Sequence, residues 1–424
     1  MKQYVLNNGM RIIYYPIPPA QSVAIGLYVK AGSRYEHLNN NGISHMLEHI
    51  HFRHLGDMDQ NELYNKMERN GGSLRASTKN DMIRFYMTIR PNRLAQSLEF
   101  FAGILTTYTW SEMELEQEKI VVLNELYEKS SYININTITN DVIWKKNPLR
   151  LPVIGREKCI KKFTVKDIIE YKKRAFSRNN LLLVFTGQIK EEDITMINEY
   201  FSEIELMPHC NVALDNAKQE QFNRKPDVCL DEQYWPVTDV DITFDVDLSL
   251  VSYEEYNMFS SMLGGGAGSI LQKSIREKLG LSHNICTTHE KYEDAACLHI
   301  EYSVDNSLLY RSLAEILQLL QKLKTYIDPK NMDITLPFFT ENLWLKLEDP
   351  PSFNEELGQE ILIFNQPLYS IEEKAEQYKN ITIPRLMAIA KIVFKPENAS
   401  IKIQGSTNQL SKKKIVNAFR EALI

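Results

Sequence analysis

The sequence predicts an α+β protein with two tandem homologous domains, each a sandwich of an antiparallel-rich sheet covered by helices. Period-two alternation at 22–32 and 82–90 indicates strands, and helix-period amphipathic stretches lie around them. The segments AFSRNNLLLVFTGQI (175–189) and VFKPENASIKIQGST (393–407) share Phe, Asn and Gly at a constant offset of 218 residues. This repeat predicts that the second half duplicates the first.

A polar segment separates the two halves. Residues 206–227 show no periodicity and are flanked by proline, which is typical of a linker. We therefore expect a first domain over 1–207, a linker over 208–227 and a second domain over 228–424. Domains of about 200 residues are of ordinary size.

Local signals predict the elements of the first half. The opening MKQYVLNNGMRIIYY indicates a hairpin that turns at Asn-Gly. In chain order, we then expect a strand at 22–32, helices at 42–52 and 59–70, a hairpin at 73–78 and 82–90, and helices at 92–108 and 111–130. Gly71-Gly72 is a typical helix end. Ser111 and Glu114 form a capping-box pattern at the start of the last helix.

The second half follows the same order of elements. The segment 240–248 reads as a strand, 284–304 as paired strands and 308–325 as a helix. The glycine-rich run at 264–268 lacks the Gly-Lys-Ser/Thr ending of a phosphate loop. We expect that run to be a flexible connection rather than a nucleotide site.

Composition and charge narrow the class of protein. The net charge of −6 argues against nucleic-acid binding, which needs clustered Lys and Arg. No apolar run reaches the roughly 18 residues of a transmembrane helix, and the N-terminus lacks the apolar core of a signal peptide. The five cysteines are scattered and form no CxxC pair. We expect reduced thiols in a cytoplasmic protein of bacterial origin.

The segment GISHMLEHIHF concentrates metal-binding side chains. His45 and His49 are four residues apart, so on a helix both imidazoles lie on one face and reach one Zn²⁺. Glu48 lies near the same face, close enough to act on a water without being a ligand. The alternative is a set of surface histidines. His51 and His54 fall outside the pair and are interpreted as surface or second-layer residues.

A third metal ligand has to come from another element, because a catalytic zinc takes three protein ligands and keeps one position for water. Glu118 and Glu125 are seven residues apart on the predicted helix 111–130, on a stripe with apolar residues between them. Carboxylates on an apolar face need a partner or a metal. A solvated helix face is the alternative, and both glutamates are candidates.

These motifs resemble the signatures of the M16 (pitrilysin-like) metallopeptidases, which include mitochondrial processing peptidase and insulin-degrading enzyme. NGISHMLEHIHF is similar to the pattern G-x-x-H-x-x-E-H-x-x-F, which contains the inverted HxxEH zinc motif. EQEKIVVLNE (116–125) resembles the family's distal pair of glutamates. LGGGAGSILQKSIREKLGLSHNI (263–285) resembles its second-domain signature. The resemblance spans essentially the whole chain, at the length of the shorter, two-domain members.

The resemblance implies one Zn²⁺ per chain, held by His45, His49 and Glu125. Glu48 would be the general base, and Glu118 would be a supporting carboxylate behind the ligands. A two-domain chain would form half of the family's clamshell. The implied assembly is therefore a homodimer, or a heterodimer with a homologous, possibly metal-free subunit.

Three further residues are predicted to bind substrate. Family members carry Arg and Tyr in a stretch like R-E-K-x-G-L-x-Y, whereas IREKLGLSHNI keeps Arg276 and has His283 in place of Tyr. Histidine still donates a hydrogen bond, but its charge changes near neutral pH. Arg75 stands where the family often has Asn on a substrate-pairing edge strand. There it would favour acidic side chains of an extended peptide.

The predicted function is a zinc-dependent endopeptidase that cleaves peptides, or leader- and presequence-like segments, within a dimeric chamber. The competing prediction is a non-catalytic scaffold or partner subunit that binds peptides. Such relatives typically lose motif residues, and this chain keeps His45, Glu48, His49 and Glu125.

Overall fold

The computed structural model of the chain describes residues 1–106, 110–130, 143–144, 147–207 and 226–423. Contacts between Cα atoms divide these residues into two compact units. The first contains 1–106, 110–130, 147–207 and 344–370, and the second contains 143–144, 226–343 and 371–423. The predicted linker, 208–227, lies outside the described residues except at its last two positions. Among the described helices, none is long and apolar enough to cross a membrane.

The first unit is built on a six-stranded sheet. The strands of the unit are β1 Lys2–Val5, β2 Arg11–Pro16, β3 Val23–Val29, β4 His54–Leu55, β5 Met58–Asp59, β6 Arg75–Thr78, β7 Ile83–Ile89 and β8 Leu181–Gly187. β4 and β5 form a separate two-stranded sheet, and the other six strands form the main sheet. Its helices, numbered in chain order over both units, are α1 Ile43–Ile50, α2 Gln60–Asn70, α3 Leu94–Leu105, α4 Glu112–Ser130, α5 Glu157–Ile160, α6 Val165–Ala175, α7 Glu191–Ser202 and α11 Pro350–Leu362. The strand order is β1-β2-β8-β3-β7-β6, so β6 is an edge strand.

The second unit is built on a five-stranded sheet. Its strands are β9 Asp227–Glu232, β10 Val237–Val246, β11 Asn284–Lys291, β12 Ala296–Asp305 and β13 Ala399–Gly405. Its helices are α8 Tyr253–Gly264, a π-helix Gln272–Lys278, α9 Leu309–Leu323, α10 Pro329–Leu345, α12 Ile371–Lys379, α13 Ile383–Val393 and α14 Lys412–Ala422. The last two residues of α10 group with the first unit.

The two sheets share one topology. The order β9-β13-β10-β12-β11 of the second sheet repeats β2-β8-β3-β7-β6 of the first, and in each sheet only the first of these pairs is parallel. The repeated asparagines are equivalent as well. Asn180 Nδ2 donates to the carbonyl of Arg174, and Asn398 Nδ2 donates to the carbonyl of Ile392, six residues back in both cases. The predicted fold class, with its duplicated halves, is confirmed.

Local signals place several elements correctly. Helix α2 begins after Asp59, whose side chain accepts from the Glu62 N–H, and ends at Gly71 with a φ of 70°. The capping box of α4 forms, because the Ser111 N–H donates to Glu114 Oε2 at 2.7 Å. The predicted hairpins form at β1–β2 and β6–β7.

Strand β3 is buried at every position, although its alternation predicted one covered face. Helix α11 covers the second face, and it comes from the part of the chain assigned by sequence to the second domain. Asn354 on α11 donates to the carbonyls of Ala24 (3.1 Å) and Val184 (3.0 Å) and accepts from the Tyr28 hydroxyl at 2.7 Å. A Cβ on Gly26 would lie 2.3 Å from Asn354 Oδ1, so only glycine fits there. The domain limits predicted from the repeat remain a prediction. In the structure, residues 344–370 pack with the first unit.

Candidate metal centre

Helix α1, which carries both predicted histidine ligands, is anchored at its N-terminus. The cap residue Gly42 has a φ of 100° and no side chain with which to cap the helix. The buried carboxylate of Glu36 accepts instead from the backbone N–H groups of Gly42 (2.7 Å) and Ser44 (2.8 Å). A Cβ at position 42 would lie 2.7 Å from the Cα of Gly155, so the adjacent loop packs directly on this turn. Together these contacts set the direction of α1 and of its ligand face.

His45 and His49 face one carboxylate oxygen from α4. Glu125 Oε2 lies 3.6 Å from His45 Nε2 and 3.4 Å from His49 Nε2. These distances are longer than a hydrogen bond of about 2.7–3.2 Å. They match the separation of about 3.3 Å between atoms that each lie about 2.0–2.1 Å from a tetrahedral zinc. Within the described part of the chain, no other group of three or more His, Cys, Asp and Glu side chains brings its ligand atoms within 4.8 Å of one another.

Glu118, two turns before Glu125 on the same stripe of α4, faces the other nitrogen of His49. Its Oε1 lies 2.8 Å from His49 Nδ1, and its Oε2 accepts from Arg53 Nε. An acceptor at Nδ1 places the proton of a neutral imidazole there and leaves Nε2 with a lone pair for a metal. Burial raises the pKa of Glu118, but the hydrogen bonds from His49 and Arg53 outweigh burial and lower it. Glu118 is therefore an anion that orients His49.

The cluster carries more negative charge than its two imidazoles balance. Burial lowers the pKa of His49, but the hydrogen bond to Glu118, the contact with Glu125 and the nearby charge of Glu48 raise it to about 9. In the metal-free chain a proton on His49 therefore compensates these carboxylates at neutral pH. A divalent cation would replace that proton, as metal binding generally does at such ligands.

The donor set fits zinc. Two imidazole nitrogens and one carboxylate oxygen are ligands that zinc prefers, and three protein ligands are the number found in catalytic rather than structural sites. His45 is 7% exposed, while His49 and Glu125 are half-buried, so the cluster is reachable from solvent on one side. Carboxylates and imidazoles without sulfur also disfavour cuprous copper and iron–sulfur clusters.

Glu48 lies on the same helix beside the cluster and is half-buried. The Thr78 hydroxyl donates to Glu48 Oε2 at 2.5 Å. Thr78 is the last residue of edge strand β6. The predicted base, the predicted ligands and the predicted peptide-binding edge thus meet within the first unit.

The three predicted substrate-binding residues are all exposed. Arg75 is the first residue of β6 and pairs with Tyr86 of β7, which confirms that it lies on an edge strand. Arg276 lies in the π-helix of the second unit, where its Nη1 donates to Gln272 Oε1 at 3.4 Å. His283 directly precedes β11 in the same unit. Their roles in substrate binding remain predictions.

His51 is a core residue, which corrects its interpretation as a surface or second-layer residue. It is 2% exposed, and its Nδ1 lies 2.6 Å from the carbonyl of Leu47. Its ring packs among Phe85, Trp110 and Phe176. Burial lowers its pKa well below the usual value, so it is neutral. The i+2 spacing from His49 turns it to the apolar side of α1, where the core lies.

Three residues of the site escaped the sequence reasoning: Glu36, Arg53 and Thr78. Arg53 follows the HxxEH segment by four residues, and a cation there was a weak signal for an acidic partner. Thr78 is in an edge strand whose alternation predicts which side chains lie on the same side of the sheet. The alternation does not predict which residue of another element each side chain contacts. Glu36 lies in a polar loop with no local pattern.

The described part of the second unit has no comparable metal cluster. Its buried histidine, His299, instead pairs with a carboxylate, Nδ1 lying 3.2 Å from Asp241 Oδ2.

Comparisons with known proteins agree with the motifs and the fold. The family model described as insulinase (peptidase family M16) matches residues 11–156, and the model described as the peptidase M16 inactive domain matches 162–335. An uncharacterized zinc protease of Bacillus subtilis is 24% identical over 97% of this chain and 100% of its own length. The β subunit of mitochondrial processing peptidase from Caenorhabditis elegans is 24% identical over 95% of this chain and 89% of its own.

Solved structures show the same fold. A protease from Helicobacter pylori superposes with a TM-score of 0.83 at 18% identity, covering 95% of this chain and 99% of that protein. A protein from Pseudomonas fluorescens, described as a peptidase M16 inactive domain, superposes with a TM-score of 0.84 at 16% identity over 97% of this chain and 99% of that protein. The two family models together cover most of the chain, and the relatives match nearly all of it. The chain belongs to the M16 family of peptidases.

Proposed function

We propose that this chain is a zinc-dependent endopeptidase whose active site is the HxxEH centre of the first unit. His45, His49 and Glu125 hold one Zn²⁺, Glu48 is the general base, and Glu118 orients His49. One observation carries the proposal: Glu125 Oε2 lies at nearly equal distances, 3.6 and 3.4 Å, from the Nε2 atoms of both histidines. Relatives of this chain are named zinc proteases, which supports zinc as the metal.

The reaction is hydrolysis of a peptide bond. When bound, zinc supplies a lowered pKa for water and polarisation of the scissile carbonyl. Glu48 accepts a proton from the attacking water and returns it to the leaving amine. Glu118 keeps the Nε2 lone pair of His49 directed at the ligand position, through its 2.8 Å contact with Nδ1. Arg53 in turn holds Glu118.

The substrate is an extended peptide that adds a strand to β6. An edge strand presents unpaired backbone N–H and C=O groups, and pairing with a peptide satisfies them. β6 is the outermost strand on the side of the sheet where Thr78 contacts Glu48. A peptide paired there lies beside the base. Exposed Arg75 would favour acidic side chains, whereas the family often has a neutral Asn at this position.

The second unit contributes substrate binding and assembly. Arg276 and His283 are exposed donors there, suited to a substrate backbone or C-terminus. We propose that the chain pairs with a second copy or with a homologous subunit to enclose the peptide, and that it works in the cytoplasm. One relative is itself named as the β subunit of a processing peptidase.

Metal analysis of the purified full chain, with a Glu48→Gln variant, tests the proposal. We expect about one zinc per chain, cleavage of a quenched peptide by the wild type, and a loss of about 10²-fold or more in kcat for Glu48→Gln at unchanged zinc content. A chain without zinc, or a variant as active as the wild type, would contradict it.

The competing function is a non-catalytic partner subunit. The description of the second matching family model as an inactive domain concerns residues 162–335 and leaves the first unit's cluster untouched. A scaffold would need neither Glu48 nor the aligned imidazoles. The same experiment separates the two functions, because a scaffold binds peptide without cleaving it.

A further inference from the structure

The hydroxyl of Thr78 joins two parts of the first unit that the proposed function uses separately. Thr78 Oγ1 donates to Glu48 Oε2 at 2.5 Å, which links the last residue of edge strand β6 to the last turn of helix α1. A β-branched residue in a strand has restricted χ1 freedom. The hydroxyl is therefore held where Glu48 needs a donor.

The strand that carries Thr78 is braced on the side away from its free edge. Thr78 pairs with Ile83 of β7, and the Lys79 N–H donates to the Met82 carbonyl at 2.7 Å in the turn between the strands. Glu355 of α11 holds this hairpin further through ion pairs with Lys79 (2.9 Å) and Arg84. The position of the Thr78 hydroxyl is thus fixed by the sheet and by α11, not by α1 alone.

A general base works through one oxygen that must point at the water it deprotonates. The hydrogen bond from Thr78 to Oε2 fixes the orientation of the Glu48 carboxylate.

We propose that Thr78 is a positioning residue for Glu48, which couples the peptide-pairing strand to the base. The inference rests on the proposed function and adds to it. The same strand thus pairs with the peptide through its free edge and holds the base through the Thr78 hydroxyl, which keeps the peptide and the base in one relative position. Thr78 itself does not touch the reacting atoms.

Thr78→Val removes the hydroxyl and keeps the shape and β-branching, while Thr78→Ser keeps the hydroxyl. Thr88→Val is the matched control, because Thr88 is an exposed threonine of the neighbouring strand β7. In the full chain we expect Thr78→Val to lower kcat about 10- to 100-fold, part of the about 10²–10⁴-fold contribution of a general base. KM should change less than about threefold, and Thr78→Ser and Thr88→Val should stay within about threefold of the wild type.

Two readouts separate positioning from a structural effect. The zinc dissociation constant, measured by chelator competition, and the affinity of the inactive Glu48→Gln variant for the peptide should both be unchanged by Thr78→Val. Adding Thr78→Val to Glu48→Gln should lower kcat no further, because the group that Thr78 positions is already gone.

Wild-type activity in Thr78→Val, a parallel loss in Thr78→Ser, or additive losses in the double variant would overturn the assignment of Thr78 while leaving the peptidase intact. A wild-type chain that binds no zinc and cleaves no peptide would instead overturn the proposed function, and the inference with it.

Discussion

Replacing Glu118 tests how the first unit tunes its metal site. The side chain of Glu118 is 8% exposed, and its Oε1 lies 2.8 Å from His49 Nδ1. A hydrogen bond to a charged group contributes about 1.5–3 kcal/mol. At 1.4 kcal/mol for each factor of ten, its loss weakens zinc binding by about 10- to 100-fold. Loss of a partner behind a metal-bound histidine generally has an effect of the same size, about 10- to 100-fold.

The replacing side chain determines how much of this 10- to 100-fold loss in zinc affinity each Glu118 variant shows. Glutamine keeps an oxygen that accepts from the His49 Nδ1–H but loses the charge, so Glu118→Gln should fall near the tenfold end. Glu118→Ala removes the acceptor and leaves Arg53, which donates to Glu118 Oε2, without its anion. We expect that variant near the hundredfold end.

Zinc affinity is measured by competition with a chromophoric chelator, on the full chain at fixed pH. Glu116→Gln is the matched control: Glu116 lies on the same helix, is 65% exposed at its side chain and pairs only with Lys119 among the contacts known for it. An affinity for Glu118→Gln within twofold of the wild type would refute the orienting role. An equal loss in Glu116→Gln would point instead to the net charge of the helix.

Three further predictions concern stability. Glu36→Ala removes the acceptor for two N–H groups at the start of α1. It should lower the free energy of unfolding, measured by urea titration, by about 2–4 kcal/mol and should also weaken zinc binding. An unchanged zinc affinity would contradict the anchoring role of Glu36. Asn354→Ala removes the amide that donates to the buried carbonyls of Ala24 and Val184 and should cost about 2–4 kcal/mol in the same assay; a neutral result would show that these hydrogen bonds do not hold α11 on the sheet. Burial lowers the pKa of Lys172 to about 7, below the unfolded value of about 10.4, so unfolding takes up a proton in this window and stability rises with pH across it. Lys172→Met should therefore stabilise the chain by about 2–4 kcal/mol at pH 6 and by much less at pH 9.5; equal effects at both pH values would contradict the assignment.

The repeat and the local periodicities were enough to predict the fold class. Both sheets have the order that a duplication requires, and Asn180 and Asn398 make the same contact in each half. What the sequence did not reveal is that α11 packs on the first sheet. Nothing local to 350–362 distinguishes a helix that covers its own domain from one that covers another. The face of β3 that carries the small residues Ala24 and Gly26 is the best indication in the sequence that a helix packs closely there.

Burial explains the one misreading in the motif. The spacing of His51 correctly excluded it from the metal face of the segment. Spacing alone, however, does not show whether the opposite face is buried in the core or exposed to solvent. A histidine is compatible with a core when one nitrogen finds a backbone carbonyl, as Nδ1 of His51 does at 2.6 Å from Leu47 O. The aromatic residues that surround it are Phe85 of β7, Trp110 just before α4 and Phe176 just after α6. They are distant in sequence, so no local pattern predicts this contact.

The candidate ligands differ in how far the sequence could specify them. His45 and His49 lie on one helix, so their spacing places them on a common face. Glu118 and Glu125 were equivalent by the same reasoning, because both lie on the inner stripe of α4. What separates them is the nitrogen of His49 that each one faces: Glu118 meets Nδ1 and Glu125 lies toward Nε2. That difference depends on how deeply α4 crosses α1, which is a property of neither helix alone. The family resemblance favoured Glu125 as the ligand. The physical reason is that Glu125 lies near Nε2 of His49, whereas Glu118 is hydrogen-bonded to the other ring nitrogen, Nδ1.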